Sequence, residues 1–389
     1  MSRVGYYLVK RPNKRVCSSR KPWICIADHT IQVGTNKAFV VVGVPLKSMK
    51  SGKALTLKDV TVLSVSVRKR WSGDEVKESL RKTFKKNGVP IRIVIDGAGN
   101  LNKGVREIIG EMNIATRTTY DITHLIANLL KKEYERSMRF SKLMEKCALT
   151  SKRIAQTKIG FLSPPKLREK SRFLNLPNLA SWFEKVVDLP KIDSWKTGEK
   201  KLFGKYFDWM YSSDWERYIR QFSNDATRMK DVWKILKNTG ITEFSFRKVR
   251  SKLSEIDDPE FADTIIKALS AELDYSKQIE APILLTSDPV ESLFGKYKTI
   301  ARPHKLSEIN KSVLSIPCVC EEITQKLIDR VLTGTTNKEV ERWIRRNIPT
   351  TLLARRNAIM RSIENEQPVL ELNPNQKNAA GNNPAVWAI

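Results

Sequence analysis

Trp23-Ile-Cys-Ile-Ala-Asp-His-Thr30 and Ile91-Arg-Ile-Val-Ile-Asp-Gly97 are the two stretches whose reading decides the fold. Each is a short apolar run rich in β-branched residues, the pattern of a strand buried on both faces. Each closes on an acid, Asp28 in the first and Asp96 in the second. A carboxylate at such a strand end is costly to bury unpaired, and a divalent cation is one usual reason for keeping it. A third acid stands far along the chain, Glu291 in Ser287-Asp-Pro-Val-Glu-Ser-Leu-Phe294. Plainer readings exist for all three. Asp28 can be a strand-terminal turn residue and Asp96 an Asx-turn before Gly97. Asp288, Pro289 and Glu291 read as N-cap, first helical position and N3 of a capping box.

Outward from these stretches, the segments 37–46 and 55–67 read as strands that form an antiparallel meander with the first. Ser72 can cap a helix whose box partner is Glu75 and whose apolar stripe is Val76, Leu80 and Phe84. Strand 91–96 follows, then a helix over about 101–112 and a strand at 115–120. This order predicts an α/β fold, an RNase H-like mixed sheet flanked by helices. After Asp121 the β-branched runs give way to long helical stretches broken by Ser163-Pro-Pro165, Pro177, Pro190 and Gly240. Five tryptophans fall there, Trp182, Trp195, Trp209, Trp215 and Trp233, and the expectation for them is mostly core packing. The predicted organisation is a basic arm at 1–22, the first part of the catalytic domain at 23–128 and an all-helical insertion at 129–280. The last catalytic helix follows at 281–300, a helical extension at 301–372 and an Asn-rich disordered tail at 373–389.

Lys and Arg number 70 against 42 Asp and Glu, a formal net charge of +28. Such a surplus is the electrostatic footprint of a polyphosphate partner, since each neutralised phosphate releases counterions. A merely basic, ribosome-associated or membrane-surface protein is the plainer alternative. Candidate DNA contacts are Arg68, Lys69 and Arg70 at the head of a basic segment, with Lys103, Lys296, Lys298, Arg345 and Arg346. A solvated helix face is the usual explanation of such runs. The five cysteines are scattered without a CxxC pair, which gives no disulfide framework or zinc site. No signal-peptide stretch or transmembrane-length run is present, so the expected location is intracellular and DNA-associated, without a membrane.

The ordered motifs resemble a family. Asp28-His-Thr30 is similar to the first catalytic position of DDE-type transposases of the Mutator-like and hAT-like kinds. Asp96-Gly97, then a helix, then Asp121-Ile-Thr-His124, resembles their second block. Ser287-Asp-Pro-Val-Glu291-Ser-Leu-Phe294 resembles their third. The resemblance implies an RNase H-like catalytic domain in which Asp28, Asp96 and Glu291 hold two Mg²⁺ or Mn²⁺ ions. Its implied activity is cutting DNA at element ends and joining the 3′ ends to a target, as a homodimer or higher oligomer on DNA. His124 would contact the scissile phosphate or orient a water, or it is simply a helix-start histidine. Asp121 replaces the family's Cys and is either an accessory acid or a helix cap. His29 and His304 are expected to be structural. End recognition is expected from the insertion, the C-terminal helices, a partner or sequence elsewhere. The alternatives are an RNase H-like nuclease that cleaves without strand transfer, and an inactive domesticated transposase acting as a DNA-binding protein.

Overall fold

The computed structural model describes residues 1–16, 22–33, 36–49, 53–167, 173–189, 196–301 and 308–364. The elements run α1 (Ser2–Lys10), β1 (Trp23–Val33), β2 (Asn36–Pro45), β3 (Thr61–Arg68), α2 (Gly73–Asn87), β4 (Arg92–Ile95), α3 (Gly99–Met112) and β5 (Arg117–Tyr120). Then come α4 (Ile122–Tyr134), α5 (Met138–Ile154), α6 (Leu176–Val187), α7 (Thr197–Phe207), α8 (Ser213–Thr239), α9 (Glu243–Leu253) and α10 (Pro259–Ile279). The last four are α11 (Asp288–Ala301), α12 (Gln325–Gly334), α13 (Asn337–Asn347) and α14 (Leu352–Glu364). The chain divides into two compact units, one of 1–48, 55–118 and 287–389, the other of 49–54 and 119–286.

In the first unit the sheet order is β3-β2-β1-β4-β5. β1 pairs antiparallel with β2, β2 antiparallel with β3, and β1 parallel with β4. This is the mixed, helix-flanked α/β sheet that the strand order predicts, and the order is that of an RNase H-like fold. α2 forms where its signals stand: the Ser72 hydroxyl accepts the Glu75 N–H, and the Glu75 carboxylate accepts the Ser72 N–H at 2.8 Å. Its stripe of Val76, Leu80 and Phe84, with Leu101, Val105 and Ile108 of α3, covers Cys25, Ala27, Phe39, Val41, Ile93 and Ile95. Burying each of the larger side chains contributes roughly 1.5–3 kcal/mol. Gly104 permits the close α2–α3 contact, because a Cβ there would stand 2.6 Å from the Val76 side chain.

The largest departures from the expected strand limits are at β3 and β1. β3 starts at Thr61 and not at 55, because Asp59 accepts hydrogen bonds from the N–H and hydroxyl of Thr56 and closes a turn. β1 does not end at Asp28. It shifts register between Asp28 and Ile31 and continues to Val33, so Asp28 sits at a bulge.

Within the basic segment 1–22, α1 is a helix whose Tyr7 packs with Leu327 and Val331 of α12. Arg3 fastens the same contact by donating to the carbonyl oxygens of Thr335 and Leu332. The tail 373–389, Trp195 and His304 lie outside the described residues.

The second unit is helical, α4 through α10, and takes in α4 because Ile122, Ile126 and Leu130 belong to its core. Phe222 of α8 is its hub, with Tyr134, Phe140 and Phe183 rings at 5.3, 5.9 and 6.2 Å. Trp182, Trp209, Trp215 and Trp233 pack against that core. The indole N–H groups of Trp182, Trp209 and Trp233 are satisfied by the Leu162 carbonyl and the Thr150 and Thr123 hydroxyls. Among the described residues no helix is long and apolar enough to cross a membrane.

Candidate active site

The parallel pairing of β1 and β4 sets Ile24 opposite Arg92 and Ile26 opposite Val94. Carrying that register two residues further sets Asp28 beside Asp96, on one face, with strand axes roughly 4.8 Å apart. Asp28 is 2% exposed, and its Oδ1 accepts the His29 N–H at 2.6 Å. Asp96 is half-buried, and its Oδ1 accepts the Ala98 N–H at 2.8 Å. Gly97 makes this turn possible with φ 88°, a conformation that costs a residue with a Cβ. The Asx-turn expected of Asp96 therefore forms. It uses one carboxylate oxygen, and the other accepts no hydrogen bond among the described residues.

Glu291 lies in the first turn of α11, which packs on β1, and its side chain is exposed. The helix starts one residue earlier than the capping-box reading requires. The Ser287 carbonyl already accepts the Glu291 N–H, which makes Asp288 the first helical residue and Glu291 the fourth. Among the described residues, no three of His, Cys, Asp and Glu stand together as a metal-holding group. The acids that the β1–β4 register, carried on, would bring nearest are Asp28 and Asp96. Two carboxylates fit one hard cation, since Mg²⁺ commonly takes one or two carboxylates and completes its shell with water and substrate phosphate.

Asp121 and His124 belong to the helical unit. Asp121 is the N-cap of α4, its Oδ1 accepting the N–H groups of Thr123 and His124 at 2.8 and 3.1 Å. The cap reading of Asp121 is thus realised. His124 is half-buried on the first turn.

The basic candidates divide by environment. Arg68 pairs with Glu75 at 3.1 Å and lies over the Trp71 ring. Lys103 lies between Asp74 and Glu107, and Arg345 stands 3.7 Å from Glu341. Lys69, Arg70, Lys296, Lys298 and Arg346 are exposed. Exposed pairs of this kind are worth about 0–1 kcal/mol, so phosphate can displace them at little cost.

The sequence reading missed Asn100. Its amide nitrogen contacts His29 Nε2 at 2.6 Å and donates to the Trp71 carbonyl at 3.0 Å, while its Oδ1 accepts the Leu101 N–H. One side chain at the start of α3 thus ties the Asp28 bulge to the loop after β3. The signal was thin, a lone Asn after Gly99 with nothing to name its partners. Asn100→Ala is expected to cost about 1 kcal/mol of stability, because it removes the tie to the Trp71 carbonyl. A denaturation curve beside that of the unaltered protein checks this.

No protein-family model matches the sequence, and no curated protein is matched either. Among solved structures the chain is similar to one described as the Drosophila P element transposase strand transfer complex. The TM-score is 0.42 and the identity 13%, over 83% of this chain and 82% of that one.

Proposed function

We propose that this chain is a metal-dependent DNA transposase or recombinase that cleaves phosphodiester bonds at element ends and transfers the 3′ ends to a target. What supports the reading is the parallel β1–β4 register in a β3-β2-β1-β4-β5 sheet, which, carried two residues on, would set Asp28 beside Asp96 on neighbouring central strands. Asp28 and Asp96 would hold Mg²⁺ or Mn²⁺, with Glu291 of α11 as the third carboxylate. Bound there, the metal supplies positive charge to the attacking and leaving oxygens of the phosphodiester. The chain's own residues do the rest. The Ala98 and His29 N–H groups fix the two carboxylates, and Asn100 fixes the bulge beneath them. The cationic surface, from a net charge of +28, holds the DNA backbone in place.

One observation favours a second reading, a DNA-binding protein of the same fold without catalysis: the exposed Glu291 joins no metal-holding group of three among the described residues. Incubation with Mg²⁺ and duplexes bearing the DNA that flanks its gene separates the two. The enzyme reading expects strand breaks with 3′-hydroxyl ends, followed by joining, all lost with EDTA and with Glu291→Gln. An unimpaired Glu291→Gln protein moves the third ligand to another acid. DNA binding without any Mg²⁺-dependent cleavage leaves the second reading.

A further inference from the structure

In the first unit, a polar cleft of about 160 Å³ opens beside β3, the edge strand of the sheet. Three elements contribute to it with the periodicities of their own secondary structures. β3 gives Ser64 and Ser66, two residues apart and so on one face. α2 gives Glu75, Glu78, Ser79 and Lys82, spaced as one helical face. The end of α13, which packs beside β3, gives Arg346 and Asn347.

The hydrogen-bond accounts of these groups are uneven. Both acids are engaged: Glu75 with Ser72 and Arg68, Glu78 with Arg81 and Lys82. The hydroxyls of Ser64 and Ser66 and the Arg346 guanidinium make no hydrogen bond or ion pair among the described residues. The Ser79 hydroxyl is covered by protein and so stands closed to a ligand. Asn347 spends its amide nitrogen on the Trp343 carbonyl, which leaves its oxygen toward water. In an open cleft such groups are hydrated, and a ligand's oxygens can take the place of that water. Neutral hydroxyl donors around a planar guanidinium match the oxygens of a phosphate.

We infer that this cleft is a phosphate-binding site for the DNA backbone, with Arg346 as the cation and the Ser64 and Ser66 hydroxyls as neutral donors. This rests on the proposed DNA-handling function, yet it concerns binding away from the Asp28–Asp96 pair. Asp28 shares its sheet face with Ile24 and Ile26, whereas Ser64 and Ser66 pair with Val41 and Phe39, whose side chains line the opposite face under α2. The cleft would therefore hold DNA beyond the reacting bond.

The test measures binding of a short labelled duplex of mixed sequence to the full chain in EDTA, at several salt concentrations. Ser64→Ala with Ser66→Ala should weaken binding about threefold or more while leaving the salt slope unchanged, because no charge is removed. Ser64→Thr with Ser66→Thr keeps both hydroxyls on good strand formers and should bind as the unaltered protein does, which guards against a fold defect. Arg346→Ala should weaken binding about fivefold and make the log–log slope shallower by about one. Wild-type affinity in the double alanine protein overturns the inference, as would an occupied cleft that answers to inorganic phosphate but not to duplex. If the unaltered protein binds and cleaves DNA while all three variants match it, only the cleft is refuted. If the unaltered protein binds no DNA at all, the cleft and the proposed function fall together.

Discussion

An Asp96→Asn protein should bind DNA as the unaltered chain does and cleave it on the order of a thousandfold more slowly. The substitution isolates charge from geometry. Asp96 uses Oδ1 to accept the Ala98 N–H, and an asparagine oxygen can accept the same bond in the same Asx-turn. Gly97 keeps its positive φ, and the strand pairing of β4 ends one residue before the change. Stability should therefore move by less than about 0.5 kcal/mol, in the range of substitutions that break nothing. What is lost is the negative oxygen on which the proposed cation would depend. A thousandfold corresponds to about 4 kcal/mol of transition-state stabilisation, within the several kcal/mol that metal-borne charge supplies. Cleavage rate, duplex affinity and a melting curve on the same preparation decide the matter. Equal cleavage by the two proteins would remove Asp96 from the chemistry and leave it a turn residue.

The helical unit should be more stable at pH 5 than at pH 7.5, and Asp225→Asn should abolish most of that difference. Asp225 of α8 is 4% exposed, and its Oδ2 accepts the Tyr134 hydroxyl at 2.9 Å. Its Oδ1 is buried without a partner. Burial, first, pushes the carboxyl up to about 6; Tyr134 opposes the shift, while Asp257, Glu133 and Asp258 add to it. Glu133 is itself raised by its burial and by Asp258 and Glu260, and Tyr218 of the same helix faces the same acids. The sign follows directly. The folded pKa lies above the unfolded value of 3.8, so between about pH 4 and pH 6 the folded state binds more protons than the unfolded state. Stability falls as pH rises through that window and stays reduced above it. The shift corresponds to roughly 2–3 kcal/mol. Asparagine does not titrate, and it can still accept from Tyr134. The variant should gain about 2 kcal/mol at pH 7.5, read by chemical denaturation of the full chain at both pH values. An Asp225→Asn protein with the parental pH dependence would assign it to other carboxylates.

The sequence by itself determined what depends on neighbours within a few positions. The β-branched runs at 23–28 and 91–96 demanded strands, because only a doubly covered sheet buries such runs. The Ser72–Glu75 box and the Val76, Leu80, Phe84 stripe set α2, because caps and helical periodicity are local devices. The loss of β-branched runs after Asp121 marked the change to helices. The alternation of strands and helices then left few sheet orders to choose among.

Only the tertiary structure decided the rest. That Asp28 occupies a bulge within a longer strand, and not its end, depends on pairing with β2. That Asp121 caps α4 through its side chain became visible only with the chain's path. Asn100 acquires meaning only where folding brings His29 and the Trp71 carbonyl to it. Arg68 and Arg346, at opposite ends of the chain, share a cleft because α13 packs beside the edge strand. Local propensity is written in the segment that carries it. A contact between distant segments is written in the packing of everything between them, and a single sequence exposes no period from which to read it.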